Sequence, residues 1–174
     1  MPITHNLALR RITRDEYHAI DYEVMEQVFD IQNTIGRLLD EKVYQRELFH
    51  RCEELCLNPA MEAAVSVSHG AFSRAYYADL VVGDGVIYEL KAAQSLGPRH
   101  RSQLLQYLFL FGLRHGKLVN LATPSVQYEY VTTTVGPDAR REFSVDTTGW
   151  RVFDKADRMV IEILQELLSD WGSF

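Results

Sequence analysis

Ala75-Tyr76-Tyr77-Ala78-Asp79-Leu80-Val81-Val82-Gly83-Asp84-Gly85-Val86-Ile87-Tyr88-Glu89-Leu90-Lys91-Ala92 is the most informative stretch of this chain. Two runs rich in Val, Ile, Tyr and Leu, 75–82 and 86–92, are split by Gly83-Asp84-Gly85, which is the composition of a β-hairpin. Side chains two apart on a strand share a face, so Glu89 and Lys91 point one way and Leu90 the other. With Asp84 at the centre of a three-residue loop, Val82 faces Val86, and Asp79 stands across from Glu89 with Cβ atoms about 5 Å apart. A strict two-residue Asp-Gly turn would shift the register and separate them. The first register gathers two carboxylates and an ammonium on one patch of an otherwise apolar sheet.

Outward from the hairpin, the remaining periodicities are helical and strand-like in turn. Thr13 and Glu16 have capping-box spacing, and Ile20, Val24, Val28, Ile31 and Ile35 form one helix face that Gly36 ends. A second helix is predicted over about 38–55, and residues 63–68 alternate like a strand. After the hairpin, Pro98 suits the first position of a helix that the spacing carries to about His115, with Gly116 as its stop. Residues 117–122 and 127–134 read as strands, 142–145 as a short strand, and 154–171 as a last amphipathic helix. The order predicts an α/β fold, a mixed central sheet flanked by helices, in which the strand–helix–strand passage over 86–122 makes a parallel pair. One domain over 1–174 is expected, with a core over about 15–134 and a C-terminal extension over about 135–174.

Two close carboxylates on a buried patch repel each other and require a cation. Lys91 supplies one; a divalent metal held by carboxylates, water and a substrate phosphate oxygen would supply another. With metal present, such a cluster suits phosphodiester hydrolysis, the lysine orienting the nucleophile and stabilising developing negative charge. The bland alternative is a buried Asp/Glu–Lys ion pair with no further role. Two neighbours add to the chemistry. The helix after Pro98 is apolar except for a stripe of His100, Gln103, Tyr107 and Arg114, which can aim at the carboxylates. Glu41 lies in line with the apolar residues Tyr44, Leu48, Cys52 and Leu55 of the second helix, although in a first turn it also suits the helix dipole.

In order, Glu41, Asp79, Glu89-Leu90-Lys91 and Gln103-Leu104-Leu105-Gln106-Tyr107 resemble the PD-(D/E)XK nuclease superfamily, the Gln-x-x-x-Tyr element resembling its exonuclease branch. Ile35-Gly36, Leu39-Asp40-Glu41-Lys42-Val43-Tyr44, the two hairpin strands and His100-Arg101-Ser102-Gln103 resemble the small GxxExxR proteins. The resemblance spans about residues 20–122. Leu38 stands where that family usually has a second glycine, and Ala78 replaces the proline of the superfamily motif. The resemblance implies a restriction-endonuclease-like core and a Mg²⁺- or Mn²⁺-dependent nuclease acting on nucleic acid, with DNA expected ahead of RNA. It implies Glu41, Asp79 and Glu89 as metal ligands, Lys91 as the catalytic lysine, and His100, Gln103 and Tyr107 as residues that position the phosphate or the nucleic-acid backbone, with His100 lining the site. The alternative is a catalytically silent nucleic-acid-binding or accessory subunit of a DNA-processing or defence complex.

Composition bounds the remainder. With 47% hydrophobic and 24% charged residues the 174-residue chain is an ordinary globular one. No apolar run approaches the roughly 20 residues of a membrane span, and Met1–Arg14 carries charge where a secretion signal would be apolar. The two cysteines, Cys52 and Cys56, are spaced for one buried helix face, and a reducing cytoplasm is expected. A formal charge of −6 opposes electrostatic coating of nucleic acid, but Lys91, Arg99, His100, Arg101, Arg114, His115 and Lys117 make a local basic window. His5 and His69 read as isolated surface residues, Arg140 and Arg141 as a solvated loop. Trp150, Trp171 and Phe174 read as core or interface anchors. Val160, Leu164, Leu167, Leu168 and Trp171 make an apolar face that a second copy could cover as a homodimer.

Overall fold

The computed structural model describes residues 2–136 and 138–173, so Phe174 lies outside the described residues. Six strands form one sheet in chain order: β1 (Ile3–His5), β2 (Ala60–His69), β3 (Phe72–Val82), β4 (Val86–Lys91), β5 (His115–Asn120) and β6 (Gln127–Thr132). All neighbours are antiparallel except β4 and β5, which are parallel because α3 (Pro98–Phe111) crosses between them. Two long helices, α1 (Arg14–Ile35) and α2 (Glu41–Glu54), precede β2, and α4 (Lys155–Trp171) closes the chain.

Alternation along β4 sorts the core into two halves. Val86, Tyr88 and Leu90, with Leu80 and Val82 of β3, pack under Val24, Val28 and Ile31 of α1 and under Tyr44, Leu48 and Cys52 of α2. Ile87, with Val81 and Leu118, packs under Leu104, Leu108 and Phe111 of α3. Burial of each such aliphatic side chain contributes about 1.5–3 kcal/mol, which is what clamps both faces of the sheet.

The start of α1 is the predicted capping box: the Thr13 hydroxyl accepts from the Glu16 N–H at 3.2 Å, and the Glu16 carboxylate accepts from the Thr13 N–H at 2.7 Å. Between α1 and α2 the left-handed backbone falls on Gly36, with φ of +80°. Leu38 stays outside that region, so the missing second glycine is tolerated, and its side chain is 91% exposed. Cys52 is buried as expected, whereas Cys56 lies beyond the end of α2 and is exposed, so the two do not share a buried face.

Three expectations along the chain are corrected. Helix α3 ends four residues early, at Gly112 with φ of +67°, so Arg114 leaves the helical stripe and enters the turn before β5. Gly116 is not a stop but an interior strand residue. A Cβ there would meet Leu104 Cδ1 at 2.9 Å and the Ile87 carbonyl oxygen at 3.1 Å, so the glycine lets α3 pack close on the sheet. The strand expected over 142–145 does not form; a single 3-10 turn, Ala139–Arg141, stands just before it. The short edge strand β1 was not signalled by any periodicity. Among the described residues, no helix is long and apolar enough to cross a membrane.

Candidate active site

The hairpin loop fixes the geometry of everything that follows. Val82 pairs with Val86 around Gly83-Asp84-Gly85, the three-residue register. Gly83 and Asp84 both take positive φ, +59° and +60°, and the Gly85 N–H donates to the Val82 carbonyl at 3.2 Å. The loop is held from outside as well. Gly83 N–H donates to the Leu57 carbonyl, Arg10 N–H donates to the Asp84 carbonyl, and Asn58 Nδ2 donates to the Asp84 carboxylate. These bonds oppose a slip by one residue, which would turn Glu89 and Lys91 to the other face.

From the loop, the β3–β4 ladder runs through Val81–Ile87 to Leu80–Tyr88 and stops at the pair that would join Asp79 to Glu89. The β2–β3 ladder also skips Asp79, where Glu62 takes φ of +51°, a strained value for a residue with a side chain. The sheet therefore opens around Asp79 on both sides. Its carbonyl turns to Gln45 Nε2 on α2 at 2.7 Å, and its carboxylate accepts from the Leu90 N–H at 2.9 Å.

Four charged side chains converge beside this opening. Lys91 Nζ lies 2.8 Å from Glu89 Oε1, and 3.8 Å from both Asp79 Oδ2 and Glu41 Oε1. Glu89 and Lys91 project from the α3 face at the end of β4, while Glu41 enters from the first turn of α2. Glu89 is almost wholly buried; Asp79 and Lys91 are nearly so; Glu41 remains partly exposed. Burial, with the Asp79 charge adding to it, pushes the Glu89 carboxyl up to about 7. Burial also raises Asp79, with Lys91 pulling the other way and Glu41 adding to the rise. Burial on its own would lower the Lys91 ammonium, but Glu89, followed by Asp79 and Glu41, outweighs it and the pKa is raised.

The other expected residues divide. Tyr107 is buried and its hydroxyl accepts from Gln103 Nε2 at 3.3 Å; burial raises its pKa, and Glu89 and Asp79 are near enough to raise it further. His100 instead turns to the start of its own helix, where Nδ1 accepts from the Gly97 N–H at 3.2 Å. Among the described residues no hydrogen bond joins His100 to the four charged groups. The basic window also dissolves in part: Lys117 is buried and paired with Asp21, and Arg101 is paired with Glu129. Sequence reasoning missed Gln45, fully buried, which ties α2 to the Asp79 backbone and accepts from Lys42 Nζ at 2.9 Å. Its signal was available, since Gln45 stands one helical turn after Glu41, beside the apolar stripe.

The donor set has a surplus of negative charge and a vacancy in its hydrogen bonding. Three carboxylates face one ammonium, and Glu89 Oε2 is a buried oxygen without a partner among the described residues. Hard oxygen donors of this kind suit Mg²⁺ or Mn²⁺. Among the described residues, no three His, Cys, Asp or Glu side chains are grouped closely enough to hold a metal as they are placed. The Lys91 ammonium is the cation at the centre of the cluster, so a metal would require the carboxylates to shift around it.

A mixed sheet whose parallel pair ends in such a carboxylate–lysine cluster, with helices on both faces, is a restriction-endonuclease-like fold. The chain belongs to the PD-(D/E)XK nuclease superfamily, whose family model matches residues 18–132. A solved structure described as "Crystal structure of SSO0001" is similar at 18% identity over 90% of this chain and 71% of that one, with a TM-score of 0.43. No curated protein matches the chain.

Proposed function

We propose that this protein is a divalent-metal-dependent nuclease that hydrolyses phosphodiester bonds in DNA, with Glu41, Asp79 and Glu89 holding Mg²⁺ or Mn²⁺. The observation that carries this reading is the convergence of all three carboxylates on Lys91, with one buried oxygen of Glu89 left unpartnered. When bound, the metal would neutralise the scissile phosphate and acidify the attacking water. Lys91 directs a proton donor at the phosphate and stabilises the charge that develops on it. Gln103 and Tyr107 present an amide and a hydroxyl for the neighbouring phosphate, and Gln45 keeps Asp79 in place through its backbone. On the residues over 35–44 and 77–105, the chain resembles the GxxExxR branch of the superfamily. The direct test is incubation with single-stranded DNA, duplex DNA and RNA in Mn²⁺, Mg²⁺ or EDTA. Cleavage of DNA in metal but not in EDTA supports the reading. Binding without cleavage in either metal favours a silent accessory subunit, a reading helped by the closeness of Lys91 to Glu89.

The raised Glu89 carboxyl sets the expected pH dependence. A carboxyl whose folded pKa of about 7 exceeds its ordinary 4.5 is harder to ionise in the folded state. That cost is fully present above the folded value and is relieved as pH falls toward the ordinary one. A metal competes with the same proton. The melting-temperature gain from Mn²⁺ should therefore be larger at about pH 8 than at about pH 6, measured by thermal denaturation with and without EDTA. An equal gain at both values would contradict a role for Glu89 in metal binding.

We further propose a homodimer through α4. Met159, Val160, Ile163 and Leu164 stand outward, each about half exposed, an unusual patch for a monomer surface. A second copy laid across this patch about a twofold axis would cover the four apolar side chains of both helices. Sedimentation should give a dimer that Leu164→Glu converts to a monomer with little change in folding. A wild-type protein that sediments as a monomer at high concentration would rule this out.

A further inference from the structure

Lys42, the neighbour of Glu41 on α2, forms an ion pair with Glu62 of β2 and donates to Gln45 Oε1 at 2.9 Å. Gln45 Nε2 in turn donates to the Asp79 carbonyl at 2.7 Å. Glu62 and Asp79 stand opposite each other in the β2–β3 register, between Met61–Leu80 and Ala63–Ala78, and theirs is the pair the ladder omits. A single turn of α2, from Lys42 to Gln45, therefore holds both members of the broken pair, Glu62 by its carboxylate and Asp79 by its carbonyl.

The break changes which way the strands face. Residues two apart on a strand share a side, yet Ala78 packs under α3 while Leu80 packs under α1 and α2. On β2 the α3 side takes Ala60 and Ala63, which are three apart. Both strands lose their alternation at one level, and the irregular backbone on β2 is that of Glu62, with φ of +51°. A residue with a side chain is strained there and stays only where its surroundings hold it. An exposed ion pair contributes little alone, but this one shares Lys42 with Gln45, which is fully buried.

We propose that Lys42 and Glu62 are positioning residues of the candidate active site. With Gln45 they form a clamp from α2 that keeps the sheet open at Asp79 and so holds the Asp79 carboxylate beside Glu89 and Lys91. Regular alternation continued from Ala78 would turn Asp79 away from the α3 side, from which Glu89 and Lys91 project. The role in metal binding rests on the nuclease reading; the clamp itself is a property of the metal-free protein.

Crystal structures of the metal-free wild type and Lys42→Met give the first test. In the variant, Glu62 should return to negative φ and pair with Asp79, whose carboxylate moves away from Lys91. Glu62 still at positive φ, with Asp79 unmoved, would overturn the proposal whether or not the protein binds metal. Calorimetric titration with Mn²⁺ gives the second test. Lys42→Met and Glu62→Gln should each weaken binding about tenfold, the scale for residues that orient metal ligands. Both side chains are exposed, so neither substitution should prevent folding. The sign is diagnostic, because on charge alone the loss of a cation next to Glu41 would strengthen Mn²⁺ binding. Adding Glu62→Gly to Lys42→Met should recover most of the lost affinity, since glycine takes positive φ without strain. Unchanged or tighter binding in Lys42→Met, or no recovery with glycine, would also overturn the proposal. A wild-type protein that binds no Mn²⁺ would contradict the metal-dependent reading instead, and the crystallographic comparison would then decide the clamp.

Discussion

Lys91→Met should lower the stability of the metal-free protein by about 3–5 kcal/mol near pH 8, the cost of removing one partner from a buried ionic cluster. For a chain of this size that corresponds to roughly 6–20 °C in melting temperature. The size follows from what is left behind: Glu89, Asp79 and Glu41 would face one another with no cation between them. Two independent conditions should reverse the loss. Lowering the pH below about 7 lets Glu89 take up a proton, and Mn²⁺ supplies the missing positive charge. DNA cleavage should fall by about 10³-fold even with metal present and the fold intact, the scale seen when a group stabilising transition-state charge is removed. Thermal denaturation across pH, with and without Mn²⁺, checks the first part. A destabilisation that neither acid nor metal relieves would mean that Lys91 supports packing rather than charge balance.

Glu89→Gln should act in the opposite direction on stability and in the same direction on activity. Glutamine keeps the shape and an oxygen for Lys91 Nζ but removes a buried charge that its surroundings resist. Metal-free stability near pH 8 should hold or rise, while the melting-temperature gain from Mn²⁺ disappears and cleavage drops by about 10³-fold. This difference in sign separates an active site from an ion-pair network kept for the fold. In the network case both substitutions destabilise and neither changes the response to metal.

The hairpin was readable because each part of it is local. Gly83-Asp84-Gly85 defined the turn, the turn defined the register, and the register put Asp79 at the level of Glu89. The interruption of both ladders at Asp79 was not readable. It depends on the backbone of Glu62 and on Gln45 reaching across from α2, contacts between residues far apart in the chain. The early end of α3 shows a related limit, since Gly112 and Gly116 look equivalent in sequence and only packing against Leu104 assigns Gly116 to the strand. Arg140 was misread for the same reason: two adjacent arginines after a proline and an aspartate look like a solvated loop until α4 and α3 close over one of them. His69, read as isolated, pairs with Asp170 of α4 and helps to anchor that helix, as the Trp171 indole N–H does by donating to the Ser68 carbonyl. Trp150, expected as an anchor, is about half exposed.

The most direct measurement is the anomalous scattering of Mn²⁺ in crystals of the wild-type protein grown near neutral pH. One or two peaks within coordination distance, about 2.0–2.2 Å, of carboxylate oxygens from Asp79 and Glu89, with Lys91 displaced from Glu89 but still beside the ion, is the predicted result. Crystals in saturating Mn²⁺ with no peak there, and with Lys91 still closed on Glu89, would contradict it.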